Sequence, residues 1–134
     1  MARRQRIWAK MLTPKDKAAI GARFERFIAE VLKPRFLPEV RPTPFNYPVD
    51  IVGKWRGSNY SFITRYRSGF PENLGEEFDA PFTRLDYACE HVAGARFDIL
   101  WRRHTGQWWR LYFAVSLEEA LRAIETDLCL QPHV

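Results

Sequence analysis

The chain has 134 residues, of which 46% are hydrophobic and 28% charged, a size and composition typical of one folded domain. No stretch approaches about 18 consecutive apolar residues, and no apolar run follows the basic start, so neither a membrane span nor a secretory signal is predicted. The net charge is +5. Residues 1–35 carry +7 (ten basic and three acidic side chains) and residues 76–134 carry −4 (six basic and ten acidic). We expect a cytoplasmic protein with a basic front and no membrane partner.

The first 12 residues are predicted to form a basic arm, and residues 13–134 a single domain. Thr13 and Pro14 suit the N-cap and the first position of a helix, and Asp16 lies where a carboxylate favours the free N–H groups. Apolar residues then recur at helical spacing, which predicts an amphipathic helix of about 18–20 residues. Pro34 is predicted to end this helix, and the proline-rich residues 34–48 are predicted to form an extended connection.

Five strands are predicted from side-chain alternation and turn residues, joined by hairpins into an antiparallel sheet. They cover residues 49–55, 60–67, 82–89, 97–103 and 108–115, with a surface loop at 68–81 and a tight turn at 104–107. Ser116 and Glu119 match a capping box, which begins a helix that runs to about Thr126. The remaining tail is predicted to be extended or loose. The fold class is therefore α+β, with an N-terminal and a C-terminal helix packed on one face of the sheet.

Four segments of the second part of the chain resemble a small uncharacterised bacterial domain family. They are the arginine-rich ITRYRSG, the segment APFTRLDY, the Trp-rich QWWRLY and the closing acidic helix SLEEALRAIETD. The resemblance covers residues 45–134, and the chain departs from it in a longer FPENLGEEFD loop. It implies the α+β layout and a bacterial cytoplasmic setting, but no chemistry.

A helix glutamate (Glu25 or Glu30) followed by Asp50 on a strand resembles part of the metal site of restriction-endonuclease-like nucleases, where clustered carboxylates bind Mg²⁺. Residues 62–66 of the following strand contain neither the acid nor the lysine that would complete such a site. No catalytic residue, metal or cofactor is therefore expected. Cys89 and Cys129 have no metal-ligand spacing and are predicted to be buried free thiols.

The most distinctive segment, residues 97–113, places three tryptophans, three arginines and a histidine in one hairpin. On its second strand Trp108, Arg110 and Tyr112 are predicted to share one face, joined by Arg102 from the first strand. Rings beside arginines suit the stacked bases of single-stranded nucleic acid, they suit protein interfaces, and they also occur as plain cross-strand packing. The opposite face is nearly all apolar and is predicted to be core: Phe97, Ile99, Trp101, Trp109, Leu111 and Phe113.

A second basic stripe is predicted where Arg65 and Arg67 share one face of a strand and Arg84 lies on the next. Asp86 and Glu72 are candidates to pair these arginines internally, and the arm can equally be a solvated tail. The predicted nucleic-acid-binding residues are Arg3, Arg4, Arg6, Arg65, Arg67, Arg84, Arg102, Trp108, Arg110 and Tyr112.

The sequence thus predicts a non-enzymatic, nucleic-acid-associated accessory protein that binds single-stranded DNA or RNA through a basic and aromatic sheet face. The first alternative is a protein-interaction subunit, either a homodimer or a component of a larger bacterial complex, that uses the Trp-rich hairpin. A metal-dependent nuclease-like enzyme is the third.

Overall fold

A computed structural model describes residues 11–92 and 94–132. Its helical segments are α1 (Pro14–Phe27), a π-helical turn (Ile28–Leu32), α2 (Lys33–Phe36) and α3 (Leu117–Thr126). Its strands are β1 (Asn46–Arg56), β2 (Asn59–Ser68), β3 (Glu77–His91), β4 (Gly94–Arg102) and β5 (Trp108–Ser116), and short 3₁₀ turns lie at Pro71–Asn73 and Leu128–Leu130. None of the helices in this part of the chain combines the length and the apolar character that a membrane span requires.

The first helix begins where it was predicted and continues further than predicted. Thr13 caps it through its side chain, and Pro14 occupies the first turn. Pro34 does not end the helix, because the turn at Ile28–Leu32 is π-helical and its hydrogen bonds reach one residue further back. This wider turn shifts the hydrogen-bonding pattern, so the missing N–H of Pro34 does not break the helix. The helical segment ends with Leu37 as its C-cap.

The five strands form one antiparallel sheet in the order β1-β2-β3-β4-β5, and α1 and α3 contribute to one core on the same face. The predicted α+β fold is therefore confirmed. Phe24 of α1 is fully buried at the centre of this core. Its ring centroid lies 4.5 Å from that of Tyr60, 5.7 Å from that of Phe62 and 6.0 Å from that of Phe97. Ile124 brings α3 to the same core.

The C-terminal helix is fixed at its start and tied to the first helix. Ser116 Oγ accepts a hydrogen bond from the Glu119 N–H, and the Ser116 N–H donates to the Glu119 carboxylate, so the predicted capping box is present. Arg23 of α1 donates to both carboxylate oxygens of Glu118 on α3, at 2.9 and 3.0 Å. This bidentate pair joins the two helices that cover the sheet.

The loop predicted at residues 68–81 is shorter than expected, because β3 already begins at Glu77. Glu77 and Asp79 pair with Arg67 and Arg65 of β2, so acidic residues that resemble a solvated loop belong to a strand with one polar face. Pro81 is tolerated in this strand because it lies beside a bulge in the β2–β3 pairing.

The tail after α3 is ordered, in contrast to the prediction of a loose segment. Leu130 is fully buried, and its carbonyl accepts a hydrogen bond from Thr83 Oγ1 at 2.8 Å. The prediction of two buried thiols was also wrong: Cys89 is half-buried and Cys129 is exposed, although both are free. Cys129 lies in a turn whose apolar anchor is Leu130, which leaves the thiol outside the core.

Candidate nucleic-acid interface

The face of the sheet opposite the helices, here called the uncovered face, carries pairs of opposite charges. Arg65 Nε donates to Asp79 Oδ1 at 2.8 Å, and an Arg67 N–H donates to Glu77 at 2.7 Å, each across the β2–β3 pairing. The hydrogen bond from Arg65 holds the pKa of the Asp79 carboxyl below its usual range. Lys54 of β1 lies 3.8 Å from the same carboxylate. Two of the predicted arginines are therefore on this face, but each already has an acidic partner.

A second network of charges crosses β3, β4 and β5. Asp86 accepts hydrogen bonds from Arg84 at 2.7 Å and from Arg110 at 3.4 Å, and Arg110 Nε also lies 3.2 Å from a carboxylate oxygen of Asp98. Asp86 and Asp98 are direct neighbours across the strands, so the arginines offset a repulsion between like charges. Of the two acids proposed to pair these arginines internally, Asp86 does so, whereas Glu72 lies in the Pro71–Asn73 turn.

Trp108 begins β5 directly opposite Arg102 of β4. The guanidinium carbons of Arg84 and Arg102 lie 5.0 and 5.4 Å from its ring centroid, within the range of cation–π attraction. Arg102 forms no ion pair with any residue of the described chain. A cleft of about 190 Å³, here called the Trp108 cleft, opens beside this cluster. Its lining contains no acidic side chain and consists of Arg56, Asn59, Ser61, Pro81, Arg84, Arg102 and Trp108.

Among the described residues, the uncovered face carries two kinds of basic side chain. Lys54, Arg65, Arg67, Arg84 and Arg110 are ion-paired with Glu77, Asp79, Asp86 and Asp98, whereas Arg56 and Arg102 add unpaired positive charge. This unpaired charge lies at the Trp108 cleft, which both arginines line. Ile63 and Leu100 are buried although they do not belong to the core under the helices, because long side chains lie over them.

Tyr112 lies on the opposite face from Trp108, and its predicted place beside that tryptophan was wrong. It pairs with Ile99, a residue of the core face, because Leu111 is inserted as a bulge in β5. A bulged residue reverses the alternation of the side chains that follow it. The Tyr112 hydroxyl donates to Asp127 at 2.7 Å, and this hydrogen bond raises the pKa of the phenol.

The same irregularity exposes apolar side chains that were predicted to be core. Trp109, Leu111 and Phe113 are all exposed, the last of them by 70%. Phe113 and Ala114 together face the single residue Asp98, whose carboxylate accepts a hydrogen bond from the Ala114 N–H at 2.7 Å. Since β5 is also an edge strand of the sheet, these side chains have no neighbouring strand to cover them.

The structure thus brings part of the predicted residue set together on one face. Arg3, Arg4 and Arg6 of the arm lie outside the described residues. Arg56 belongs to the Trp108 cleft although the predicted set did not contain it. Its signal was the alternation along β1, which puts Arg56 on the same face as Lys54.

A family model described as a domain of unknown function, DUF3024, matches residues 12–132. The chain belongs to the DUF3024 family. This match confirms the resemblance to an uncharacterised domain family and extends it from residue 45 back to the start of α1. No curated protein and no solved structure matches the chain. What this DUF3024 domain binds must therefore be inferred from its own side chains.

The carboxylates considered for a nuclease site do not cluster in the DUF3024 fold. Asp50 forms an ion pair with Lys33 at 2.9 Å and accepts a hydrogen bond from the Ile51 N–H. Within residues 11–92 and 94–132, no group of three or more His, Cys, Asp or Glu side chains is arranged to hold a metal ion. The Trp108 cleft is the arrangement on the uncovered face that offers both a ring and unpaired positive charge.

Proposed function

We propose that this DUF3024 protein binds single-stranded nucleic acid across its uncovered sheet face, with the Trp108 cleft as the centre of the site. The observation that carries the proposal is the lining of this cleft, which combines three arginines and a tryptophan with no acid. Proteins that bind single strands combine positive grooves for the backbone with rings on which bases stack. A cytoplasmic setting in a bacterium is part of the same proposal, supported by two cysteines that are both free.

Each side chain of the cleft has a distinct role in this proposal. Arg56 and Arg102 meet phosphates, because neither is neutralised by an acid of the described chain. A base stacks on Trp108, which is half-buried and so held in place on one side. Arg84 remains paired with Asp86 and orients the indole ring from 5.0 Å. Arg65 and Arg67 lie further along the same face and contribute less, since their carboxylate partners already offset their charge.

The test is fluorescence anisotropy with labelled oligo-dT and oligo-U over a series of salt concentrations. Two to three phosphate contacts on a single strand imply that affinity falls roughly seven- to twenty-fold between about 50 and 200 mM salt. Trp108→Ala and Arg102→Ala should each weaken binding about tenfold, because one stacked base is worth about 1–3 kcal/mol. Absence of binding at the lower salt concentration refutes the proposal.

Two matched variants make this test specific to the face. Trp109→Ala removes the neighbouring ring, which opposes Trp101 of the helix-covered side rather than Arg102. Arg122→Ala removes an exposed arginine of α3, on the other side of the sheet. Both variants should bind as the unaltered protein does. If they weaken binding as much as Trp108→Ala and Arg102→Ala do, the contacts are not confined to this face and the cleft has no special role.

The second candidate is a protein-interaction role, here self-association through the exposed edge of β5. The specific observation is that Trp109, Leu111 and Phe113 are all exposed on this strand, since aromatic side chains are enriched in interfaces and an edge strand is open to pairing. Light scattering over a range of protein concentrations tests it. A dimer that Phe113→Glu dissociates and Leu74→Glu leaves intact supports it, and a strict monomer at all concentrations opposes it.

A further inference from the structure

A second basic cleft lies at the end of the sheet, between the β4–β5 turn and the 3₁₀ turn that follows α3. Its volume is about 560 Å³, within the range of about 300–1,000 Å³ usual for small-molecule sites. The side chains that matter for its chemistry are the basic Arg102, Arg103 and His104 and the apolar Trp101 and Leu128. No acidic side chain of the described chain lines it. This Arg103 cleft adjoins the Trp108 cleft, and Pro81 and Arg102 border both.

Two tryptophan rings and the hydrogen bonds of the hairpin turn hold Arg103 in place. Its guanidinium carbon lies 5.0 Å from the Trp109 ring and 5.7 Å from the Trp101 ring. Its backbone closes the hairpin turn, since the Arg103 N–H donates to Gln107 at 2.9 Å and its carbonyl accepts from Gly106 at 2.8 Å. The side chain is therefore positioned from both ends before any ligand arrives.

The Arg103 Nε atom is buried and has no hydrogen-bond partner among the described residues. A buried donor without an acceptor costs free energy, so such atoms are rare and call for an explanation. Asp127, which caps the facing Leu128–Leu130 turn, does not supply the acceptor. Its carboxylate accepts from the Tyr112 hydroxyl at 2.7 Å and from the Cys129 N–H at 3.0 Å.

We infer that the Arg103 cleft binds a small organic carboxylate, with the carboxylate on the Arg103 guanidinium and an apolar body against Trp101 and Leu128. A carboxylate is planar and accepts two parallel N–H bonds from a guanidinium, here from the terminal Nη groups, because the buried Nε is closed to a ligand oxygen. The apolar walls favour a singly charged group over a doubly charged phosphate ester, because desolvation costs more for the larger charge. This inference does not depend on the proposed binding of nucleic acid.

Titration calorimetry on the full chain tests the inference with phenylacetate as the probe. We expect saturable binding with one site per chain. Phenyl phosphate and phenethyl alcohol should each bind about tenfold more weakly or not at all, because one has the wrong anion and the other has none. In an NMR spectrum selective for arginine side chains, the Arg103 Nε–H signal should shift on addition of phenylacetate and the Arg122 signal should not.

Two variants address the site from different sides. Arg103→Gln should weaken phenylacetate binding at least about tenfold, since it removes a charged hydrogen bond. Because this change also removes a contact of two tryptophans, Leu128→Asp is the second variant: Leu128 is 79% exposed, so the fold tolerates the change, and the new carboxylate competes for Arg103. Leu74→Asp, at a site 73% exposed in a distant turn, is its control.

Three outcomes overturn the inference: no saturable binding of phenylacetate at millimolar concentration, binding of phenyl phosphate as tight as that of phenylacetate, or equal losses in Leu128→Asp and Leu74→Asp. The first of these leaves nucleic-acid binding unaffected, and a failure of nucleic-acid binding leaves the cleft unaffected. Arg103→Gln should bind oligonucleotides normally, which keeps the two proposals distinguishable.

Discussion

The two faces of the sheet are built from the same strands and differ in what holds them together. On the helix-covered face, Phe24 touches the rings of Tyr60, Phe62 and Phe97, and water is excluded. On the uncovered face, guanidinium and carboxylate groups pair across the strands in the presence of water. The stability that packing provides is lost when the packed side-chain atoms are removed. A charge pair can be weakened in the same way, and in addition by salt and by a change of pH. The difference places stability mainly on one face and leaves the other open to ligands.

A similar contrast exists within the β4–β5 hairpin. On the uncovered face Trp108 lies beside Arg102, which has a neighbouring cleft and no acidic partner in the described chain. Towards the helix-covered side, Arg103 lies between Trp101 and Trp109 and keeps a buried N–H without an acceptor. Arg103 therefore lines one cleft, whereas Arg102, the last residue of β4, borders both.

The strongest test of the contrast between the faces is Phe24→Ala. Phe24 is fully buried, so its removal should lower the free energy of unfolding by about 3–5 kcal/mol. Trp108→Ala on the uncovered face should cost only about 1 kcal/mol, the scale of its cation–π contacts. Urea unfolding of both variants measures the difference. Similar losses from the two substitutions would contradict the division of roles between the faces.

Asp86→Ala probes a charge of the uncovered face that is mostly buried. Its carboxylate side chain is 14% exposed and accepts hydrogen bonds from Arg84 and Arg110. Its loss should lower the free energy of unfolding by about 2 kcal/mol, the scale of hydrogen bonds to charged groups. The same change removes a negative charge beside the Trp108 cleft and should tighten oligonucleotide binding. Urea unfolding and anisotropy measure the two effects, and a loss of affinity in Asp86→Ala would argue against a phosphate site on this face.

Tyr60→Phe probes a buried polar atom in the aromatic core. The Tyr60 hydroxyl is buried with no hydrogen-bond partner among the described residues, so its removal should raise the free energy of unfolding by about 1 kcal/mol. Burial raises the pKa of this phenol. The folded protein therefore resists ionisation that the unfolded chain undergoes near about pH 10, and stability falls as the pH rises above that value.

The pH dependence supplies the check on Tyr60→Phe. The variant should lose less stability than the unaltered protein between neutral pH and about pH 11, because it no longer carries that phenol. Tyr87, whose pKa burial raises to about 12, remains in both proteins and limits the difference. Identical alkaline stability curves would mean that folding does not raise the pKa of the Tyr60 phenol, which would contradict its burial.

Local signals in the sequence were sufficient for most of the fold. Thr13 and Ser116 mark helix starts, because a side-chain oxygen at the N-cap accepts a hydrogen bond from a backbone N–H of the first turn. This local signal does not depend on the rest of the chain. The alternation of Tyr60 and Phe62 with polar residues placed β2 correctly for the same reason. Glu77 was assigned to a loop, because a strand with one polar face contains the same residue types as a surface loop.

The candidate site was harder to predict, since it depends on pairing between distant segments. Strand alternation places Trp108 and Tyr112 together, but the bulge at Leu111 separates them, and no local signal marks that bulge. Arg56 and Trp108 line one cleft although 52 positions separate them in the chain. The neutralisation of Arg65 by Asp79 likewise follows from the β2–β3 register, which the sequence does not specify.

The smallest expected effect is that of breaking the Arg65–Asp79 pair, and it tests whether ion pairs stabilise the uncovered face. The hydrogen bond from Arg65 lowers the pKa of Asp79, so the pair stabilises the fold above about pH 4 and the stabilisation is lost as the pH falls below it. Arg65→Gln should raise the Asp79 pKa towards its usual value, as seen by NMR of the carboxyl carbon. The stability lost at neutral pH should stay within about 0.2–1 kcal/mol, since both side chains are partly exposed.

Arg122→Gln is the control for this measurement, because it removes an equal charge from α3 and leaves the pair intact. Its Asp79 pKa should match that of the unaltered protein, and the acid limb of its stability curve should not move. If Asp79 titrates identically in Arg65→Gln, Lys54 at 3.8 Å holds the carboxylate instead. The ion pairs of this face would then be interchangeable contacts in water, and their arginines would be as available to a phosphate as Arg102 is.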